Sequence, residues 1–373
     1  MSYKMHGARV LRVAFVATLF LGIHVSAAPI PDKAAGNAKE RVIQLVKRRG
    51  GKIIEGFTHE GDYVLRVILD DTSTTDSDLK ELTALGPITE LLLAHTKITD
   101  AGMRYVRSIS SLKVLALCGT QISDEGLRGI RDLKQLTQLS LVSTPVTDAA
   151  ILEIREHSKL SILSLDYTRI SDAGLKDLRG MNSLSTLTLC RTCIGDPGLR
   201  NLRDLPDLRD LDLSSTKVTD DGISYLSKFP KLEQLYLRNT AVTGVGFRAL
   251  QNLREPQWYI SAKWRTNKSI PDEFRGIYSV SLSGRQVTDA GMKEIGGLSG
   301  LHMLLLENTN ITDTGLKELA RPKALSRVII YGENAISGIA LQKLRMARLN
   351  LRVDFEPLPE PKATTPNPDK AQP

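Results

Sequence analysis

LRDLDLSSTKVTDDGISYL, residues 208 to 226, is the stretch whose reading decides the fold. Leu208, Leu211 and Leu213 are spaced three and then two apart, and the last two alternate with Asp210 and Asp212. Alternation of period two belongs to a strand, so the leucines share one face and the aspartates the other. Thr216 and Val218 carry the chain around a turn. Asp220 then precedes Gly222, Ile223 and Leu226, whose spacing turns Ile223 and Leu226 to one side of a short helix. An Asp at that place can accept hydrogen bonds from the free amides of a first helical turn. One strand and one short helix cannot bury such an apolar face alone.

The same unit recurs along the chain. The string Thr-x-(Ile/Val)-x-Asp, with Thr or Ser as its usual fourth residue, places Asp100, Asp124, Asp148, Asp172, Asp196 and Asp220 at a constant spacing of 24 residues. Asp76 keeps the phase one period earlier behind Thr72. One period later Gly244 takes the Asp position behind Thr240 and Val242. The phase then slips by 45 residues to Asp289, resumes at Asp313 and ends in a degenerate copy around Ile336 to Leu344. About eleven units are expected, one of them aberrant and inside the slip, and stacking them buries a continuous aliphatic core. Composition agrees, with 55 Leu among 373 residues against 5% aromatics.

Leu-x-x-Leu-x-Leu-x-x-Thr-x-Ile-Thr-Asp-x-Gly-Leu-x-x-Leu resembles the leucine-rich repeat family, in the form found in bacterial exported proteins and close to its cysteine-containing subclass. The resemblance spans about Tyr63 to Phe355. It implies an α/β fold, a curved horseshoe solenoid with a parallel strand sheet on the concave face and short helices on the convex face. In that family partner proteins bind the concave face. Two departures stand out: Thr replaces the Asn or Cys expected before the turn, and residues 253 to 285 lose the pattern. The Thr72 to Thr240 series is expected to form a column of hydroxyls bonding neighbouring turns.

The termini have other compositions. Lys4, Arg9 and Arg12 precede an apolar run from Val13 to Ile23, followed by Ser26, Ala27 and Ala28, the order of a secretory signal peptide. That run has 11 residues, where a membrane span needs about 20. Cleavage is expected after Ala27, since a cut after Ala28 would leave Pro29 first. Val42, Leu45 and Val46 stand at helical spacing before Gly50 and Gly51, and Lys52 to Phe57 read as a strand. From Pro357 onward six Pro fall in 17 residues with almost no apolar side chains. The expected organisation is a signal peptide at 1–27, an N-terminal capping helix and strand at 28–62, repeats at 63–355 with an irregular one at about 253–285, and a disordered Pro-rich tail at 356–373.

Function has to be sought at outward positions that the repeat does not fix. A formal charge of +8, about +5 without the leader, is too mild to imply nucleic acid. His59, His95, His157 and His302 show no metal-ligand spacing, and neither a nucleophile elbow nor a phosphate-binding loop occurs, so no catalytic residue, cofactor or metal is expected. Cys190 and Cys193 have the spacing of a redox pair but stand at an outward strand position and in a turn, with no long helix to stabilise a thiolate. They are read as small fillers, with a local disulfide left open. Cys118 and Cys190 are three repeats apart, about 14 Å at ~4.8 Å per strand, too far to bridge.

Outward positions before Asp172 form an apolar strip of Ile68, Leu92, Val114, Ala116, Val142 and Ile162, diluted by Ser and Gln. Later repeats bring Asp210, Asp212, Tyr236 and Arg238, then Trp258, Tyr259, Trp264 and Arg265. Interfaces concentrate Trp, Tyr and Arg, which bury large rigid areas and keep a polar handle. Asp210, Asp212, Tyr236, Arg238, Trp264 and Arg265 are therefore the expected partner-binding residues, with Trp258 and Trp264 open also to a role as plugs of the broken repeat. The expected protein is an exported monomer, periplasmic or extracellular, without stable membrane insertion once the leader is gone. It is read as a non-enzymatic scaffold for a protein or peptide. An envelope glycan is the alternative ligand, and a thiol oxidoreductase the weaker third reading.

Overall fold

Each strand is short because only the Leu-x-Leu core of each repeat alternates; the residues on either side already belong to turns. The computed structural model describes residues 36–58, 61–202, 204–251 and 277–356. They divide between Arg169 and Ile170 into two units. The first holds α1 (Gly36–Arg49), β1 (Lys52–Phe57), β2 (Tyr63–Ile68), β3 (Glu90–Leu92), β4 (Val114–Ala116), β5 (Gln138–Ser140) and β6 (Ile162–Ser164). Strand β1 pairs antiparallel with β2, and β2 to β6 follow in parallel. The second unit holds β7 (Thr186–Thr188), β8 (Asp210–Asp212), β9 (Gln234–Leu237), β10 (Ser279–Ser283), β11 (Met303–Glu307), β12 (Arg327–Tyr331) and β13 (Arg352–Glu356), all parallel and in chain order.

Parallel neighbours require a crossover, and the described crossovers hold short helices such as Asp148–Ile154 and Asp220–Ile223. Between strands and helices lies the aliphatic layer. Leu187, Leu211 and Leu235 stand in register, as do Leu189, Leu213 and Leu237 one pleat on, and none is more than 1% exposed. Each buried Leu contributes roughly 2 kcal/mol of transfer free energy. In the first unit α1 lays Val42 and Val46, each 1% exposed, against the repeats, and Arg49 pairs with Asp78 at 2.9 Å.

The repeated aspartate has a different task from the expected one. The N-cap of each short helix is the residue before it, so the Thr219 hydroxyl accepts from the Asp221 amide at 3.3 Å. The carboxylate instead reaches into the following repeat. Asp196 accepts from the Thr219 backbone N–H at 2.8 Å and from its hydroxyl at 2.7 Å. The same two bonds link Asp76 to Thr99, Asp100 to Ser123 and Asp124 to Thr147 in the first unit, and Asp220 to Thr243, Asp289 to Thr312 and Asp313 to Ser337 in the second. Asp172 has only an amide to hold, that of Gly195 at 2.8 Å, because no hydroxyl stands there. The carboxylate is a strap between turns, and the hydroxyl it grips is the next helix's cap.

The threonine column also departs from expectation. Thr96, Thr144, Thr216 and Thr240 donate to the carbonyl oxygens of Leu93, Leu141, Leu213 and Leu237, three residues back in their own turn. The hydroxyl sits one bond beyond Cβ and cannot cross the ~4.8 Å between repeats, which a longer amide side chain could. The irregular stretch differs as well: β9 bonds directly to β10, with Gln234 opposite Ser279, so it adds no stacked strand between them. Since Gly244 supplies no carboxylate there, the backbones close up instead. A Cβ on Gly244 would come within 2.8 Å of Gly291 Cα, and Gln286 donates to the Thr240 carbonyl at 2.6 Å.

The strap explains the Asp-x-Gly pairing. A Cβ on Gly222 would overlap the Oδ1 of Asp196. Gly222→Ala is therefore expected to destabilise, although Ala in a helix is otherwise favoured by about 1 kcal/mol. Asp196→Ala alone is expected to cost about 1.5–3 kcal/mol through two lost charge-assisted bonds. In the Asp196→Ala background the added methyl at position 222 no longer meets an obstacle, so a double-mutant cycle by urea unfolding is expected to show strong positive coupling. Additive effects would remove the strap as the reason for this glycine.

Candidate partner-binding face

Residues between the buried leucines of a strand point to the opposite side of the sheet. In the second unit the first outward column runs Thr186, Asp210, Gln234, Ser279, Met303, and the second Thr188, Asp212, Tyr236, Ser281, Leu305. Asp210, Asp212 and Tyr236, singled out from the sequence, thus lie on adjacent strands of one face. Both carboxylates act on the Tyr236 hydroxyl, which burial first and then Asp210 and Asp212 push up from its ordinary pKa, so it stays neutral. That hydroxyl donates to Gln234 Oε1 at 2.7 Å.

Asp210 is the unusual member. It accepts one hydrogen bond, from Thr186 Oγ1 at 3.3 Å, while its Oδ1 is buried without a partner. Burial, with Glu233 behind it, pushes its carboxyl up to about 7, against smaller opposing effects of the Thr186 bond and Arg209. Asp212 accepts from the Ser214 amide at 2.8 Å. Arg238 does not join this group. It pairs with Glu307 across β10, where Ser283 leaves room for the guanidinium to pass. Arg209 is likewise paired with Glu233, and Lys231 with Asp207.

Thr186 and Thr188 belong to the same face and were not singled out from the sequence. Both are 4% exposed, and Thr188 Oγ1 has no hydrogen-bond partner. The signal was present in Leu184-Ser-Thr-Leu-Thr-Leu, whose alternation puts both threonines in the columns of Asp210 and Asp212. Trp258, Tyr259, Trp264 and Arg265 lie outside the described residues.

In the first unit Leu92, Val114 and Ala116 cluster on the outward side, with Ile68 packed against them. The Arg66–Glu90 ion pair closes one edge of this strip, both residues under 10% exposed. Among the described residues Cys118, Cys190 and Cys193 form no disulfide, so the pair left open to a local one is unbonded. Burial pushes the Cys118 thiol up, which opposes a reactive thiolate. His157 is a brace, its ring nitrogens each 2.9 Å from the carbonyl oxygens of Ile154 and Ile130. Among the described residues no group of three or more His, Cys, Asp or Glu is placed to hold a metal ion.

Asp210 generates a stability signature. Its folded pKa lies above the ordinary carboxylate value, so the folded state binds the extra proton and loses stability as pH rises from about 4 to about 7. Asp210→Asn cannot ionise. The variant is expected to gain about 2–4 kcal/mol on the wild type across that window, read by urea unfolding at successive pH values. A constant difference between the two would mean that the carboxyl titrates normally.

A leucine-rich repeat family model matches residues 205–227. Among solved structures, the fold is similar to an internalin (inlF) of Listeria monocytogenes, at 13% identity and a TM-score of 0.46, covering 86% of this chain and 94% of that one. It is also similar to internalin C2 (inlC2) of the same organism, at 21% identity and a TM-score of 0.41, covering 58% of this chain and 89% of that one. No curated protein matches the sequence. The matched segment contains β8, its turn and its helix, and the same strand, strap and helix recur through both units: the described residues have a leucine-rich repeat fold.

Proposed function

We propose that this protein is an exported, non-enzymatic scaffold that binds a protein or peptide through the outward strand face of its repeats. The observation that carries the reading is the contrast between the two sides of the sheet. Inward positions are uniformly aliphatic, while outward ones change from an apolar strip at Ile68, Leu92, Val114 and Ala116 to a polar, acidic group at Asp210, Asp212 and Tyr236. Packing explains the constant side. It does not call for carboxylates on a buried strand face, where desolvation costs stability. The basic, apolar and small-residue order of residues 1–27 supports export, with mature protein starting at Ala28. No helix among the described residues is long and apolar enough to cross a membrane. Helix α1 with β1 serves as the N-terminal cover of the stack, residues 356–373 as a tail, and the scaffold acts as a monomer.

Selection of a displayed random-peptide library on the immobilised full chain tests the reading. Enriched peptides are expected to bind the strand face, so Tyr236→Ala weakens them by about 1–4 kcal/mol while the melting temperature is kept. Failure to enrich any peptide, with binding to a glycan array instead, would reassign the face to a carbohydrate.

A further inference from the structure

We propose that Asp210, Asp212, Thr188 and Tyr236 form a socket for one cationic side chain, an arginine guanidinium, carried by the peptide or protein that docks on this face. The inference rests on the protein-binding reading above and names the chemistry it selects. Every group in the socket offers an acceptor. Among the described residues Asp210 Oδ1 and Thr188 Oγ1 are buried without hydrogen-bond partners, and Thr188 stands in register with Asp212 on the neighbouring strand. Tyr236 donates its hydroxyl hydrogen to Gln234 and sets its ring beside Asp212 on the neighbouring strand. Buried acceptors left unpaired cost free energy, so a ligand that brings donors recovers it.

Among the described residues Arg209 is paired with Glu233, Lys231 with Asp207 and Arg238 with Glu307. A metal ion would need further ligands that do not converge here among the described residues. A guanidinium brings five N–H groups in a planar fork, suited to acceptors on three adjacent strands, and its face can stack on the Tyr236 ring.

The socket is also sensitive to pH in the physiological range. Asp210 faces Thr186 and Thr188 from β7, Arg209 and Asp212 on its own segment, and Glu233, Gln234 and Tyr236 from the β9 segment; Arg209 and Glu233 are paired, and Tyr236 remains neutral. A docked cation favours the ionised carboxylate. With Asp210 pushed up to about 7, affinity for the cation is expected to fall about tenfold from pH 8 to pH 6.

The test uses peptides enriched from the random library on the full chain at pH 8, with affinities read by fluorescence polarisation. A shared Arg is expected in the enriched set. Replacing it by Gln in the peptide is expected to weaken binding at least tenfold, as are Asp210→Asn and Asp212→Asn in the protein, with circular dichroism verifying that each variant is folded. The Gln peptide is expected to bind wild type and both variants alike, a coupling that a merely structural aspartate would not produce. Enriched peptides that lack a cation, or bind both variants as well as the wild type, would overturn the socket and leave the scaffold reading standing. No enrichment at all would overturn both.

Discussion

A carboxylate that leaves one turn to hold the helix cap of the next is the interaction on which the stack depends. Short helices such as Asp220–Ile223 would not persist alone, because helix nucleation fixes several residues for a single hydrogen bond. Here the nucleus is prepared by a neighbour. Asp196 fixes the backbone and hydroxyl of Thr219, and that hydroxyl in turn accepts from the Asp221 amide in the first turn of the helix. Burial of Leu211, Leu213 and Ile223 supplies most of the favourable energy but says nothing about register. The strap does, because its acceptor geometry fits one residue of the following repeat. At Gly102, Gly126, Gly222 and Gly315, three residues after the cap, the missing Cβ leaves room for the arriving carboxylate, whereas Ala150 and Ala340 occupy the same place behind Thr147 and Ser337.

Once strap and leucine columns set the inward side and the seams, chemistry is free to vary only on the outward strand face. That face is itself largely shielded by its neighbours, which is why Thr186 and Thr188 are 4% exposed although no core packs on them. Shielding raises the cost of a charge. The first unit meets that cost by pairing Arg66 with Glu90 in its first outward column and by placing Ile68, Leu92 and Ala116 beside them in the second. The second accepts it, leaving Asp210 with one hydrogen bond and a carboxyl pushed up to about 7. An unrelieved desolvation penalty at outward positions is a reason to look for a ligand, since the stack would be more stable without it.

Much of this was legible in the sequence because a repeat states its own period. The 24-residue phase, the alternation around Leu211 and the placement of Asp210, Asp212 and Tyr236 on one face all follow from spacing. The aspartate's role was not legible from a single repeat, since its partner stands 23 residues away and a cap within its own helix explains the same residue type. The ion pair of Arg238 was hidden for a similar reason. Its partner Glu307 is 69 residues on, and only the direct pairing of β9 with β10 brings them within reach. The 45-residue slip suggested an aberrant turn in between. Spacing alone does not show that β9 pairs directly with β10, because the pattern on either side is the same with or without a strand between them.

The strand ends obey a further constraint of the same period. Asp71, His95, Gly119, Ser143 and Tyr167 in the first unit, and Arg191, Ser215, Asn239, Gly284, Asn308 and Gly332 in the second, all have positive φ, and eight of these eleven are not glycine. A side chain in that region costs roughly 1 kcal/mol. The return is one more rung between repeats. His95 and Gly119 donate their amides to the carbonyls of Cys118 and Val142, and Arg191 and Ser215 to those of Ser214 and Arg238. A hydrogen bond of about 1 kcal/mol offsets a strain of the same size. The position therefore admits residues other than glycine, and the set is mainly Gly, Asn, Asp, Ser and His, with no β-branched side chain among the eleven. At the slip the rung is kept by other means: the Asn239 amide donates to the Ser283 hydroxyl at 2.8 Å. Ser283 thus closes the seam while staying small enough for Arg238 to reach Glu307, so the outward face of β9 to β11 is held in register by the residue that also leaves it open.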